Sequence, residues 1–169
     1  RVWVACGPGT NGGDGFEAAL HLKQWGLDAA LTWSGDEAGA PADARASLQR
    51  ARAAGLAIAA QPPARWDLAI DALLGIGSTR APQGALLAQV QALNAGTAPV
   101  LAVDLPSGLD AGTGTGHPLR ATHTLSLLTL KPGLFTAQGR DAAGELWFDD
   151  LGVVPGSLGR TLPWGRPSA

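Results

Sequence analysis

The chain has 169 residues, of which 46% are hydrophobic and 15% are charged, and its net charge is −2. This length and this hydrophobic content suit one domain with a core of ordinary size. The sparse charge and the lack of any long Lys or Arg run argue against a nucleic-acid-binding surface, and no apolar run is long enough to cross a membrane. The single cysteine, Cys6, excludes an internal disulfide and is expected as a small buried strand residue. No signal peptide opens the chain, so we expect a cytoplasmic location.

Apolar segments alternate with segments of helical length, which is typical of parallel strands joined by helical crossovers. From the amino end, the sequence predicts strands at 2–6, 27–33 and 56–59, with helices at 16–25 and 41–54. Further along, it predicts strands at 66–74, 99–103, 122–130 and 145–148, with a helix at about 85–93. The direction of the last strand is left open. We expect an α/β fold with a mostly parallel central sheet, followed by a tail or linker at 153–169 that is rich in glycine, proline and arginine.

Polar clusters follow directly on four of the predicted strands. They are residues 7–14, 71–80 and 104–110, and Lys131. Because parallel strands place their carboxyl ends at one edge of a sheet, where ligands of such folds bind, we expect these clusters to share one pocket.

The first cluster has the spacing G-x-G-x-x-G between a strand and a helix, which suits a loop that approaches a pyrophosphate. Asp14 strains this interpretation because it puts a carboxylate where phosphate would lie; its alternative role is a helix N-cap. A bound cation would relieve the strain. Asn11 and Ser107 offer neutral oxygens and Asp71 offers one charge, a set that suits a monovalent cation better than a transition metal.

Asp104 ends an apolar strand and precedes Leu-Pro-Ser-Gly, so it is predicted as a partly buried carboxylate at the edge of a cleft, suited to proton transfer. The alternative is a residue that caps the Ser-Gly turn. Asp110 is predicted as a turn residue. Lys131 either contacts phosphate or extends from the strand edge into solvent, and the sequence does not choose between the two.

The string Gly7-Pro-Gly-Thr-Asn-Gly-Gly-Asp-Gly-Phe16 closely resembles the motif G-P-G-N-N-G-G-D-G of the NAD(P)HX epimerase family, also called the YjeF N-terminal domain. Segments 71–77, 103–110, 130–134 and 144–149 agree with the family in the same order. The resemblance covers residues 2–152. Thr10 replaces the family's usual Asn, and the helices that precede the first strand in the family are missing. Since the chain also lacks Met, we expect it to be a fragment.

The resemblance implies a Rossmann-like three-layer sandwich that converts the R form of hydrated NADH or NADPH (NADHX or NADPHX) to the S form. It further implies K⁺ as cofactor, homo-oligomerisation, and a possible fused ADP- or ATP-dependent dehydratase domain in the parent chain. The resemblance implies that Asn11, Asp71 and Ser107 would hold potassium. Because Asp104 is a carboxylate at the cleft edge beside a dinucleotide loop, we expect it to be the catalytic acid and base at the C6 hydroxyl. The substrate would contact Thr10, Asn11, Gly12, Gly13, Asp14, Gly75, Ile76, Gly77, Ser78, Thr79, Arg80, Ala81 and Asp104.

Two other functions remain open at this point. The same domain occurs in eukaryotic RNA-decay scaffolds and in an apolipoprotein-binding protein, so a non-catalytic module that binds a dinucleotide or RNA is the main alternative. An NAD(P)-dependent dehydrogenase is disfavoured by Asp14 and by the lack of residues arranged for hydride transfer.

Overall fold

The computed structural model describes residues 1–78 and 80–153, and within them seven strands form one sheet in the order β3-β2-β1-β4-β5-β6-β7. All neighbouring strand pairs of this sheet are parallel. In chain order the elements are β1 Val2–Cys6, α1 Thr10–Gln24, β2 Ala29–Trp33, α2 Ala42–Ala53, β3 Ile58–Ala59, β4 Leu68–Ala72, α3 Gly84–Ala95, β5 Val100–Val103, β6 His123–Leu127, a 3₁₀ turn Pro132–Leu134, α4 Gly139–Ala142 and β7 Glu145–Asp149. The predicted α/β fold with a parallel sheet is confirmed.

The side chains of β1 pack on both faces of the sheet, which places the sheet between two layers of helices. These side chains alternate between the two faces, as the pleat requires. Val4 and Cys6 belong to the core that includes Phe16 of α1 and Leu48 of α2. Trp3 packs on the opposite face. All five residues of β1 are buried, which accounts for their continuous apolar sequence and confirms the predicted burial of Cys6.

The far face of the sheet is covered by α3. Val90 and Leu93 of this helix pack with Trp3, Leu73 and Val100, while Trp66 packs edge-on against Trp3 at a centroid distance of 4.8 Å. A third, smaller core joins Leu105 and Leu109 of the loop after β5 to the segment between β6 and β7. This small core anchors the loop that begins at Asp104.

Several boundaries differ from the prediction. Helix α1 begins at Thr10 and not at Phe16, so the second half of the Gly-rich segment is helical. Strand β6 ends at Leu127, since Leu128 takes a left-handed φ of 63° that breaks the extended chain before Lys131. The last strand, β7, runs parallel to β6. The proposed tail lies outside the described residues apart from Val153, and no helix of the described part is long and apolar enough to cross a membrane.

Candidate functional site

A cavity of about 790 Å³ opens where β1, β4, β5 and β6 end. Its volume falls within the range typical of small-molecule sites, which is roughly 300–1,000 Å³. Each of the four predicted polar clusters contributes to its wall. The lining residues are Pro8, Gly9, Thr10, Asn11, Asp14, Pro41, Leu73, Leu74, Gly75, Ile76, Gly77, Ser78, Asp104, Leu127, Leu128, Thr129, Lys131 and Leu151. The convergence predicted from strand direction is therefore confirmed.

The Gly-rich loop is built by close packing of backbone on backbone. A Cβ at Gly7 would lie 1.6 Å from the Leu73 carbonyl oxygen, and a Cβ at Gly12 would lie 2.0 Å from the Gly7 carbonyl oxygen. Gly9, in contrast, has no atom within 4 Å of such a Cβ. Two of the three motif glycines are thus required by the fold of the loop itself, whatever the loop binds.

Helix α1 points its amino end at the cavity without a side-chain cap. Gly9 is the N-cap residue, no side chain bonds to the first turn, and no acidic residue lies in that turn. The free N–H groups and the positive end of the helix dipole favour an anion here. Asp14 lies further along the helix, so its alternative role as an N-cap is wrong.

Asp14 is nevertheless electrostatically coupled to the cavity. Its pKa is raised above the ordinary value, first because the carboxyl loses hydration in the cavity wall, and second because Asp104, Asp43 and Glu17 carry like charges nearby. The negative charge at this point is therefore disfavoured, which is consistent with the conflict noted between Asp14 and a phosphate.

Asp104 has a strained backbone and a one-sided set of hydrogen bonds. Its φ is +73°, in the left-handed region that non-glycine residues rarely adopt and that is often found at functional sites. Its Oδ1 accepts a bond from the Leu127 N–H at 3.2 Å and an ion-paired bond from the Lys131 ammonium. No described residue donates to its Oδ2. One carboxylate oxygen is thus left for a ligand in the cavity, and the proposed capping of the Ser-Gly turn is not observed.

The structure resolves the question that the sequence left open for Lys131. The residue is buried, with 6% of its surface exposed. Its ammonium donates to Asp104 Oδ1, to the Leu127 carbonyl oxygen at 2.6 Å and to Ser126 Oγ at 3.4 Å. Three donors therefore meet three acceptors within the chain, so Lys131 neither extends into solvent nor keeps a free donor for phosphate.

The three predicted potassium ligands belong to one chain of hydrogen bonds that passes through the backbone of Leu74. The Leu74 N–H donates to Ser107 Oγ at 2.9 Å, and the Asn11 side-chain amide donates to the Leu74 carbonyl oxygen at 3.1 Å. Ser107 in turn donates to Asp71 through its N–H and its hydroxyl. The sequence therefore named residues that lie in one cluster, although they are as far apart as 96 positions.

Asp71 is a fully buried carboxyl group without a cationic partner among the described residues. Burial raises its pKa to about 6, and the bonds from Ser107 and from the Leu73 N–H oppose this rise only in part. A buried carboxylate is ordinarily paired with a cation or a metal. The oxygen-only donor set and the missing countercharge both fit a bound monovalent cation.

The predicted substrate-contacting residues fall into three groups. Thr10, Asn11, Asp14, Gly75, Ile76, Gly77, Ser78 and Asp104 line the cavity. Gly12 and Gly13 are buried in α1, while Arg80 and Ala81 lie exposed beyond the lining. Thr79 lies outside the described residues.

Asp110, predicted as a turn residue, accepts bonds from the Gly112 and Thr113 N–H groups, and the prediction is confirmed.

Sequence reasoning missed the part of the wall that follows β6 and β7. Leu127 contributes its N–H to Asp104, and Leu151 lines the cavity after β7. A prediction that the last strand is parallel would have indicated Leu151, because the carboxyl end of a parallel β7 reaches the same edge of the sheet. No sequence pattern signals the left-handed turn at Leu128.

Most of the chain, including the residues of the cavity wall up to Lys131, matches a known protein family. A family model described as the YjeF-related protein N-terminus matches residues 1–133. The chain belongs to this family. The match includes the Gly-rich loop, Asp71, Asp104 and Lys131, and every residue that lines the cavity except Leu151.

Relatives of this YjeF N-terminal domain are named as NAD(P)H-hydrate repair enzymes or NAD(P)H-hydrate epimerases. The bifunctional NAD(P)H-hydrate repair enzyme Nnr of Escherichia coli is 40% identical over all of this chain, which spans 34% of that protein's length. The NAD(P)H-hydrate epimerase of Achromobacter xylosoxidans is 42% identical over 90% of this chain and 76% of its own. The crystal structure of yeast ynu0 superposes with a TM-score of 0.68 at 21% identity, over 83% of this chain and 63% of the yeast chain, which supports the fold.

Proposed function

We propose that this domain is an NAD(P)H-hydrate epimerase, which interconverts the R and S forms of hydrated NADH and NADPH. The observation that carries the proposal is the carboxylate of Asp104, held by Oδ1 and open at Oδ2, in a cavity bordered by an uncapped helix amino end. Full-length relatives of similar extent bear the epimerase name, among them the protein of Bordetella pertussis, of which this chain covers 78%. The epimerase unit would comprise residues 1–152.

The dinucleotide would bind with its pyrophosphate at the start of α1. There the N–H groups of the first turn have no side-chain cap, and Thr10 and Asn11 line the cavity. The loop that begins at Gly75 forms the neighbouring wall. The hydrated nicotinamide ring would then lie toward Asp104, on the side of the cavity formed by the ends of β5 and β6.

Asp104 would carry one proton from the C6 hydroxyl to the ring nitrogen. In contact with the Lys131 ammonium, Asp104 begins as a carboxylate, and Oδ2 accepts the proton of the C6 hydroxyl. The bond between C6 and the ring nitrogen breaks, its electron pair goes to nitrogen, and Asp104 returns the proton to that nitrogen. The C6 aldehyde has no stereocentre, so closure on its other face by the reverse steps gives the epimer. No proton is gained or lost overall.

An iminium route would begin from the other charge state. Asp104 would have to donate a proton to the hydroxyl, so that water could leave and return on the opposite face. The ion pair with Lys131 supplies a carboxylate and not an acid at the outset. The structure of the site therefore favours ring opening over loss of water.

Potassium would be held by Asn11, Asp71 and Ser107. When bound, it supplies positive charge that balances Asp71 and strengthens the binding of phosphates nearby. The support is that the buried Asp71 has no countercharge among the described residues, and that hydrogen bonds connect Asn11 through the backbone of Leu74 to Ser107 and then to Asp71. These residues join the Gly-rich helix to the loops after β4 and β5, so they also fix the relative position of the cavity walls.

We propose that the domain works in nicotinamide nucleotide repair in the cytoplasm, as a homo-oligomer. In the parent chain it would be joined to an ADP- or ATP-dependent dehydratase, in line with the bifunctional name of the Escherichia coli relative.

The test is to supply the purified domain with R-NADPHX and to follow formation of the S epimer by chromatography. The epimerase predicts conversion well above the spontaneous rate. Binding without conversion would contradict it and would favour a scaffold module instead. A parallel filter-binding assay with single-stranded RNA and an absorbance assay for hydride transfer separate the two other functions considered from the sequence.

A further inference from the structure

The ion pair between Asp104 and Lys131 has a geometry that stability alone does not explain. Both partners are nearly removed from solvent, with side-chain exposures of 15% for Asp104 and 7% for Lys131. Burying two charges is costly, and an apolar pair of similar volume is often equally stable. The pair differs from an apolar pair in that it fixes the orientation of the Asp104 carboxylate.

Both described hydrogen bonds to the Asp104 carboxylate fall on one of its two oxygens. Oδ1 accepts from the Leu127 N–H and from Lys131, whereas Oδ2 accepts from no described residue. The Asp104 N–H is itself fixed to the Leu125 carbonyl oxygen at 2.8 Å. Backbone and side chain are thus both attached to β6 and its turn, which determines the direction in which the second oxygen points.

The ammonium is held as firmly as the carboxylate. Besides Asp104, it binds the Leu127 carbonyl oxygen and Ser126 Oγ, so all three of its N–H groups have acceptors within the chain. Pro132 begins the 3₁₀ turn directly after Lys131 and restrains the backbone at that point. The ammonium therefore has no donor left to form a hydrogen bond with a ligand.

We propose that Lys131 is a positioning residue for Asp104: it holds Oδ1 in place as a carboxylate oxygen and thereby presents Oδ2 to the reacting hydroxyl. This inference rests on the proposed epimerase function. It assigns to Lys131 no contact with the substrate, with phosphate or with the reacting carbon. Its effect on turnover passes entirely through Asp104.

A double-mutant cycle tests this dependence. We compare the wild type, Lys131→Met, Asp104→Asn and the double variant for kcat and KM on R-NADPHX. A misplaced catalytic group loses about 10–100-fold in rate, so Lys131→Met is expected to lower kcat by that factor and to leave KM unchanged. In the Asp104→Asn background, the same substitution is expected to change kcat by less than about twofold, because the group it positions is gone.

Three results would overturn the proposal. They are a full kcat in Lys131→Met, an equal loss of kcat with and without the Asp104 carboxylate, and a rise in KM at unchanged kcat. The second would show a general structural effect, and the third would show that Lys131 contacts the substrate directly.

The chain offers a matched control. Lys23 is its one other lysine, is exposed, and bonds only to the Gly55 carbonyl oxygen in the described structure. Lys23→Met is expected to keep the wild-type kcat. If both the wild type and Lys23→Met fail to convert R-NADPHX, the proposed function fails as a whole. An active wild type with a fully active Lys131→Met rejects only the positioning role.

Circular dichroism and thermal melts establish that each variant folds. If Lys131→Met does not fold, Lys131→Arg takes its place in the cycle, since it keeps a cation beside Oδ1 while its planar fork displaces the carboxylate. Its kcat is expected to fall by about 3–10-fold, and the loss must again vanish in the Asp104→Asn background. A loss of kcat that persists there would contradict the proposal.

Discussion

Ser107 binds both carboxylate oxygens of Asp71. Its N–H donates to Oδ2 at 2.8 Å and its hydroxyl donates to Oδ1 at 2.6 Å, in a place fully closed to solvent. This pair joins the loop after β5 to the end of β4, and it does so directly beneath the cavity. Loss of either bond therefore removes one of the three donors to a buried carboxyl group.

Ser107→Ala is expected to lower the free energy of unfolding by about 1.5–3 kcal/mol at pH 8, because the removed hydroxyl serves a charged acceptor. Denaturant unfolding followed by fluorescence measures this loss. Ser78→Ala is the control, since the Ser78 hydroxyl makes a single 3.3 Å bond in a half-buried loop, and its effect should stay within about 0.5 kcal/mol. Equal effects of the two substitutions would show that the Asp71 pair contributes no stability.

Gly12→Ala is expected to destabilise the domain by about 1–3 kcal/mol or more, since the new methyl group would overlap the Gly7 carbonyl oxygen. Gly9→Ala is the matched control from the same motif: it meets no atom within 4 Å and its φ of −98° suits any residue. Its cost should stay below about 1 kcal/mol, the usual effect at an N-cap. A Gly12→Ala protein as stable as Gly9→Ala would disprove the close packing of the loop.

The ionisation of Asp14 gives a prediction about pH. Its pKa is raised by loss of hydration and by the charge of Asp104, so the folded state holds this proton more tightly than the unfolded state. The resulting stability is fully present below the unfolded pKa and is lost as the pH rises through the folded pKa. The stability of the wild type relative to Asp14→Asn should therefore fall as the pH rises above about 4.

The contribution of Asp110 to stability depends on pH in the opposite direction. Bonds from Thr113, backbone first, lower its pKa, so its contribution is present above the unfolded pKa and is lost as the pH falls through the folded pKa. Carbon-13 NMR titration of both carboxyl groups checks the two directions together. An Asp14 that titrates below Asp110 would contradict the description of the cavity wall.

Potassium should stabilise the folded domain more than lithium does at equal ionic strength. At concentrations well above its dissociation constant, a ligand that binds only the folded state adds about 1–3 kcal/mol. Thermal melts in the two chloride salts measure the difference. Asp71→Asn should abolish it, whereas Asp67→Asn, at the exposed opposite end of β4, should retain it. Equal melting temperatures of the wild type in both salts would remove potassium from the site.

Strand direction was the most predictable part of the fold. Apolar segments alternate with helix-length segments along the chain, and that alternation alone indicated a parallel sheet and one common edge for the polar clusters. The grouping of Asn11, Asp71 and Asp104 followed from it. The resemblance to a known family then assigned roles to residues that strand direction could only bring together.

The parts that could not be predicted depend on tertiary contacts. Glycines disfavour helices, yet α1 starts at Thr10 because Gly12 and Gly13 allow it to pack against Gly7 and Ala44. The pairing of Asp104 with Lys131 depends on the turn at Leu128, whose left-handed φ no residue type there indicates. Residues 27 positions apart thus form a contact that only the folded chain reveals.

The most direct measurement of the central claim is the turnover of R-NADPHX by Asp104→Asn beside the wild type, with binding of the hydrate measured on both. The expected result is a kcat lowered by about 100-fold or more with the hydrate still bound, since the amide replaces the carboxylate without changing its size. An Asp104→Asn protein that forms the S epimer at the wild-type rate would contradict the assignment of Asp104 as the proton-transferring group.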